Sequence, residues 1–102
     1  MANLKQYLVD EIVKQIKKAE EEIKESDKEL KILNAKLKVE TKMVEMEDIS
    51  EEISENVKYS IQALEGMVMT EKDRNAKLRQ ELKVLIYRKK VLAGYEFDND
   101  EL

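Results

Sequence analysis

The sequence predicts an all-α protein, a long antiparallel helical hairpin of coiled-coil character that pairs with a second copy in a four-helix bundle. Three observations predict this fold. Of the 102 residues 41% are charged and 42% hydrophobic, with no proline and two glycines, which is typical of long helices. Apolar residues recur at alternating steps of three and four, the spacing of a coiled-coil seam. Other apolar residues lie off that seam and need a partner surface.

The first helix is predicted over about residues 3–46. Its seam has eleven positions over five heptads, and nine of them are apolar. Lysine and glutamate fill most other positions, as on a solvated helix face. The seam consists of Val9, Ile12, Ile16, Ala19, Ile23, Ser26, Leu30, Leu33, Leu37, Glu40 and Val44.

A change of register predicts a chain reversal near residues 46–49, because the second seam does not continue the first. Asp48 and Glu51 have the three-residue spacing of a reciprocal N-cap, which supplies acceptors to the first amides of a helix. Acidic residues there also suit the positive end of the helix dipole. We therefore predict that the second helix begins at about residue 49.

The second helix is predicted over about residues 49–93, and eight of its eleven seam positions are apolar. Gly94 is predicted to end it as a C′ residue in the left-handed conformation, which glycine adopts at low cost. The whole of residues 1–94 is thus interpreted as one hairpin domain. The second seam consists of Val57, Ile61, Leu64, Val68, Glu71, Asn75, Leu78, Leu82, Leu85, Lys89 and Leu92.

Gly66 and Thr70 leave an alternative open for the second helix. The seam keeps its phase through this stretch, from Leu64 to Val68, which favours a continuous helix that tolerates a glycine at a cost of ~1 kcal/mol. The alternative is a three-helix arrangement with a break at Gly66-Thr70, in which Gly66 ends one helix and Thr70 caps the next.

Polar seam residues are predicted to meet near the middle of the hairpin. Glu71 and Asn75 should face the region from Ala19 to Ser26. Such a layer can fix register and partner choice, or it can be a slack, hydrated layer without a function. The sequence leaves both possibilities open.

The off-seam apolar residues predict an interface beyond the hairpin, since two helices packed along one seam bury little area. Each aliphatic side chain left in water forgoes ~1.5–3 kcal/mol of burial. Either a second copy of the chain or another protein can cover them. The predicted interface residues are Ile32, Val39, Met43, Met46, Met67, Met69, Val84, Ile86 and Val91.

The residue types argue against an enzyme. The chain has no histidine and no cysteine, so it lacks the Ser-His and Cys-His nucleophile pairs and the usual transition-metal ligands. Its two glycines are far apart and form no phosphate-binding loop. We therefore predict no catalytic residue, no metal and no cofactor.

The charges are distributed unevenly. Residues 40–58 hold seven acids and two lysines, whereas residues 71–90 hold eight bases and three acids. Four residues of the basic segment share one helical face and form a candidate phosphate site with an aromatic ring for base stacking. They are Arg79, Lys83, Tyr87 and Lys90. A nucleotide or nucleic-acid binder is therefore the alternative function, while ion pairs with acids of the first helix are the structural alternative.

The tail of residues 95–102 carries two aromatic residues among four acids. Tyr95 and Phe97 are predicted either to pack back on the open end of the hairpin or to dock into a partner. The helical hairpin and the aromatic-x-x-x-acid spacing of Phe97 and Glu101 resemble the small helical substrates and accessory proteins of type VII secretion. The Trp-x-Gly turn of that family is absent from this sequence.

The function predicted from these features is that of an oligomeric, non-enzymatic protein that binds another macromolecule as an adaptor, scaffold or inhibitor. Small viral and phage proteins that act on host machinery share this helical, charged, cysteine-free character. The N-terminal residues contain acids and no continuous apolar core, which does not fit a signal peptide. No apolar run approaches the ~20 residues of a membrane span. A cytoplasmic location is therefore expected.

Overall fold

The computed structural model describes residues 3–102, which form two long α-helices. Helix α1 spans Leu4–Val44 and α2 spans Glu51–Gly94. All four helix ends lie within two residues of the predicted positions. The prediction of an all-α fold with a helical hairpin is therefore confirmed.

The chain divides into two compact units, and each of them contains a part of α1 and a part of α2. The turn unit is Glu25–Asn75, which includes the connection between the helices. The terminal unit contains the chain up to Lys24 together with Ala76–Leu102. It therefore combines the beginning of α1 with the end of α2 and the tail.

The two predicted seams supply the buried surface of both units. All eleven seam positions of α1 are buried or half-buried, and in α2 only Lys89 is exposed. Leu33, at 2% exposed, is the most deeply buried apolar residue. The seam assignment is therefore confirmed, and Lys89 departs from it because its ammonium group needs water.

The N-cap of α2 is Ser50, and the predicted cap at Asp48 is wrong. The amide of Ile53 donates to Ser50 Oγ at 3.3 Å, and the amide of Ser54 donates to the Ser50 carbonyl at 2.9 Å. The short serine side chain reaches the third amide of the helix from the position directly before it. Glu51 and Glu52 form the acidic first turn, so the expected match with the helix dipole is present.

Helix α1 ends two residues earlier than predicted. The amides of Glu45 and Met46 donate to carbonyls only three residues back, those of Lys42 and Met43, both at 3.2 Å. Such bonds tighten the last turn and close the helix. Met46, which the sequence placed at the end of the helix, therefore lies in the connection.

Gly94 does not adopt the predicted left-handed conformation. No described glycine has a positive φ, and Gly94 is the last residue of α2. The amide of Tyr95 donates to the Leu92 carbonyl at 3.3 Å, so a tight three-residue turn ends the helix. The prediction of a C′ glycine is wrong because this turn already provides a partner for a terminal carbonyl.

Helix α2 passes through Gly66 without a break, so the three-helix alternative is wrong. The hydroxyl of Thr70 donates to the Gly66 carbonyl at 3.0 Å. A bond to the carbonyl four residues back lies within the helix and leaves Thr70 no role as an N-cap. The preserved phase of the seam, with Val68 buried, explains why the helix continues.

We expect Gly66→Ala to stabilise the protein by up to ~1 kcal/mol, because alanine loses less backbone entropy in a helix interior. A Cβ at this position would meet no heavy atom within 4 Å. Urea unfolding followed by circular dichroism measures the change. Gly94→Ala, at the open end of α2, is the control and should have a smaller effect. A destabilised Gly66→Ala variant would contradict the continuous helix.

Within residues 3–102, neither helix contains a segment both long and apolar enough to cross a membrane.

Candidate functional site

The tail folds back onto the first turn of α1. The amides of Leu4 and Lys5 both donate to Asp100, the first to its carbonyl and the second to Oδ1, each at 2.8 Å. The amide of Gln6 donates to Asn3 Oδ1 at 2.7 Å. Asn3 and Asp100 together therefore satisfy the first three amides of the helix, which have no partner within it.

This arrangement supplies a charge that α1 itself lacks. Helix α1 has no acidic residue in its first turn, so the carboxylate of Asp100 is the group that complements the positive end of the dipole. On the other helix, Lys5 Nζ donates to the Ala93 carbonyl at 3.1 Å, in the last turn of α2. The first turn of α1 and the last turn of α2 are thus each held by a side chain that lies far away in sequence.

The docked tail completes an apolar groove, which we call the terminal groove. Its volume is about 620 Å³. The rings of Tyr95 and Phe97 meet edge to face with centroids 4.8 Å apart, and they form one part of its lining. Only one lining residue is charged. The groove is lined by Leu8, Ile12, Val84, Tyr87, Arg88, Val91, Leu92, Tyr95 and Phe97.

The terminal groove unites residues that the sequence had placed in separate groups. Val84 and Val91 came from the predicted interface, and they are 41% and 68% exposed. Tyr95 and Phe97 came from the tail, and both now line the groove together with those valines. Arg88 was missed, although it lies between Val84 and Val91 on the same helix. Its position four residues after Val84 is the signal that could have identified it.

A second, more polar groove of about 500 Å³ adjoins the terminal groove and shares Val84 and Arg88 with it. Its lining carries charges of both signs, including Lys18, Glu22 and Glu81. The same face of the terminal unit therefore changes from apolar to charged along the helices.

The turn unit has an apolar groove of its own, with a volume of about 650 Å³. Ile32 and Val39, seven residues apart on α1, line it and are 39% and 62% exposed. Opposite them lie Ser60 and Leu64 of α2. This groove brings together two further residues of the predicted interface.

The remaining residues of the predicted interface line none of these three grooves. Met43 is half-buried. The others are exposed outside the three grooves. They are Met46, Met67, Met69 and Ile86.

The candidate phosphate residues all lie in the terminal unit. Lys90 Nζ is 5.6 Å from the centroid of the Tyr87 ring, within the range of a cation–π interaction. A nucleic-acid base that stacks on this face of Tyr87 has to displace the ammonium group. Arg79 and Lys83 are exposed farther back along α2. The grouping of these four residues as a phosphate site stays a prediction.

Polar seam residues form a hydrogen-bond network in the turn unit. Ser26, which is 0% exposed, donates its hydroxyl to Glu71 Oε2 at 2.7 Å and accepts from Asn75 Nδ2 at 3.0 Å. Asn75 Nδ2 also donates to Asp27 Oδ1 at 2.8 Å, and Arg74 Nη1 donates to Glu71 Oε2 at 3.0 Å. Complete burial of Ser26 argues against a slack, hydrated layer and favours a role in fixing register.

A second polar pair supports the same register within the turn unit. The hydroxyl of Ser60 donates to Glu40 Oε1 at 3.1 Å. Glu40 is the other polar member of the α1 seam. A shift of one helix along the other would separate both sets of partners, so the polar seam residues favour one alignment of the helices in this unit.

We expect the stability of the turn unit to fall in acid because of Glu71. The hydrogen bonds from Ser26 and Arg74 stabilise the carboxylate and lower the pKa of Glu71. A carboxylate whose pKa is lower in the folded chain than in the unfolded chain stabilises the folded state at pH values above its unfolded pKa of ~4.3. This stabilisation is lost as the pH falls through the folded pKa.

Urea unfolding at pH 7 and pH 3 tests this expectation. Glu71→Gln should destabilise the protein more at pH 7 than at pH 3, because below the unfolded pKa part of the stabilisation from the wild-type carboxylate is already lost. Glu65→Gln, at an exposed position of the same helix, is the matched control. An equal effect of Glu71→Gln at both pH values would contradict the proposed role of the carboxylate.

The chain matches no protein-family model, no curated protein and no solved structure.

Proposed function

We propose that this chain is a non-enzymatic protein-interaction module, an adaptor, scaffold or inhibitor that acts in the cytoplasm, and that it binds through the terminal groove. The supporting observation is the meeting of Val84 and Val91 with three aromatic residues in one exposed, almost uncharged groove. Contiguous exposed apolar surface of this kind marks binding sites on soluble proteins.

The chemistry of the lining favours protein binding. Tyrosine and arginine are enriched among residues that dominate binding energy, and the groove contains Tyr87, Arg88 and Tyr95. Val84 and Val91 are seven residues apart on one face of α2, which suits an amphipathic helix laid along the groove. Covering the exposed part of each valine would add a share of the ~1.5–3 kcal/mol that full burial of such a side chain contributes.

The lowered pKa of Glu71 does not suit acid–base catalysis at this residue. The pKa of Glu71 is lowered by its hydrogen-bond donors. A carboxyl that donates a proton near neutral pH needs a raised pKa, which an apolar cleft provides. The half-buried carboxylate of Glu71 is thus suited to a structural role.

Affinity capture with two matched variants tests the proposal. Val91 and Tyr59 are 68% and 69% exposed on the same helix, but only Val91 lines the terminal groove. We expect Val91→Asp to lose a partner that both the wild type and Tyr59→Asp retain, with helical circular dichroism unchanged in all three. Equal capture by Val91→Asp and the wild type would contradict binding through this groove.

A phosphate-binding function is the alternative that the eight bases of residues 71–90 favour. It predicts that binding of a labelled single-stranded oligonucleotide falls steeply as salt rises, because phosphate contacts release counterions. Apolar docking should depend only weakly on salt. Fluorescence anisotropy at low and high salt with Lys83→Glu as the test variant separates the two functions.

A further inference from the structure

The tail contributes the aromatic part of the terminal groove from a segment without regular structure. Residues 95–100 form neither helix nor strand, yet Tyr95 and Phe97 line the groove together with residues of both helices. Tyr95 is 53% exposed and Phe97 is half-buried, so apolar contact covers only part of each ring. Fixing an irregular segment costs conformational entropy, and further contacts of the tail have to offset that cost.

Asp100 makes such contacts at the far end of the tail. Its carbonyl and its Oδ1 accept from the amides of Leu4 and Lys5, each at 2.8 Å, and Asp100 is itself half-buried. The next residue, Glu101, pairs with Asn3 in an isolated antiparallel bridge. The tail is therefore fastened to the first turn of α1 beyond the two rings that line the groove.

Lys5 connects the two ends of the segment that carries both rings. Its amide donates to Asp100, and its Nζ donates to the Ala93 carbonyl at 3.1 Å, in the last turn of α2. Between these ends, the rings of Tyr95 and Phe97 pack edge to face. Short surface loops whose ends lie close together and whose own side chains pack against each other are frequently functional. The two rings thus belong to a loop that is closed through one residue of α1.

We propose that Asp100 is a positioning residue for the terminal groove. Its Oδ1 acceptor docks the tail on α1 and thereby holds Tyr95 and Phe97 in the lining, so the groove is complete only while the tail is docked. The inference rests on the proposed function, since it names the residue that controls the same site. A partner that contacts either ring binds the docked tail more tightly, and by linkage the bound partner strengthens docking.

Fluorine NMR of the whole chain labelled with fluorotyrosine tests this positioning. Of the four tyrosines, Tyr87 and Tyr95 line the groove, whereas Tyr59 lies in the turn unit and is the internal reference. We expect Asp100→Ala to move the resonances of Tyr87 and Tyr95 and to leave that of Tyr59 in place. Asp100→Asn should restore the wild-type positions, because asparagine keeps an Oδ1 acceptor for the amide of Lys5.

Two control variants separate positioning from the loss of a charge or of a helix cap. Asp98→Ala removes a carboxylate from an exposed position of the same tail. Asn3→Ala removes the other side-chain acceptor from the first turn of α1. Neither control should move the Tyr95 resonance. Hydrogen exchange at the Lys5 amide should be about fivefold faster in Asp100→Ala, because its acceptor is lost, and unchanged in Asp98→Ala.

Three results overturn the proposal. The first is that the resonances of Tyr87 and Tyr95 stay in place in Asp100→Ala. The second is that Asn3→Ala moves them equally, which shows that only the cap of α1 matters. The third is that Asp100→Asn moves them as far as Asp100→Ala does, which shows that the Oδ1 acceptor is not the cause.

Failure of this inference and failure of the proposed function give different results. Asp100→Ala should capture about tenfold less of a partner that depends on Val91, whereas Asp98→Ala should capture the wild-type amount. Equal capture by Asp100→Ala after its tyrosine resonances have moved overturns the inference, while binding through the terminal groove stands. If no captured partner depends on Val91, the proposed function fails, and the fluorine spectra alone decide whether Asp100 positions the two rings.

Discussion

Leu33→Asp is expected to lower the free energy of unfolding by about 4 kcal/mol or more. Leu33 is 2% exposed in the turn unit, and truncation of such a leucine to alanine alone costs about 2–5 kcal/mol. The aspartate also leaves a carboxylate without a partner in apolar surroundings, which adds a desolvation penalty. We therefore expect this variant to lose most of its helical circular dichroism at room temperature.

The neighbouring position provides the control. Asn34 is exposed on α1, so Asn34→Asp introduces the same charge one residue away and should change the stability by less than about 0.5 kcal/mol. Leu82→Asp, at a half-buried seam position of α2, should have an intermediate effect. Thermal and urea unfolding measure all three variants. A Leu33→Asp variant that melts like the wild type would show that the seam is not the core.

Removal of residues 95–102 is expected to destabilise the terminal unit by about 2 kcal/mol. The truncation exposes the surface that half-buried Phe97 covers, and partial burial of an aromatic side chain contributes about 1 kcal/mol. It also removes both Asp100 acceptors from the first turn of α1. Loss of a helix cap typically costs about 1 kcal/mol.

Hydrogen exchange locates this effect. We expect faster exchange at the amides of Leu4 and Lys5, which donate to Asp100, and little change at amides of the turn unit. Deletion of Leu102 alone, which is 70% exposed, is the matched control and should leave exchange unchanged. Equal exchange rates in the truncated and complete chains would show that the tail is not docked in solution.

The two helices and their buried faces were predictable because their determinants are local. Helical periodicity brings residues three and four apart onto one face, so the seam could be counted directly in the sequence. Glu71 and Asn75 were also predicted to face the region from Ala19 to Ser26, and the hydrogen bonds of both residues with Ser26 confirm it. The unbroken phase of the same count favoured continuity through Gly66, which the structure confirms.

The helix ends were harder to predict because several nearby residues can serve as caps. Both Asp48 and Ser50 are good N-cap residues, and only the backbone of the connection shows that Ser50 is in position. Gly94 can end a helix in the left-handed conformation, yet the bond from Tyr95 to Leu92 closes α2 without it. Which residue caps or ends a helix therefore depends on small differences in free energy between alternative turns.

By itself the sequence determined the two helices, the reversal between them and the residues of each seam. The tertiary structure alone decided that Asp100 caps α1 and that Phe97 joins Val84 and Val91 in one groove. The physical reason is separation along the chain. Periodicity acts over a few residues, whereas Asp100 and Lys5 are 95 residues apart and meet only after both helices have packed. A contact of that kind leaves no periodic signal in the sequence.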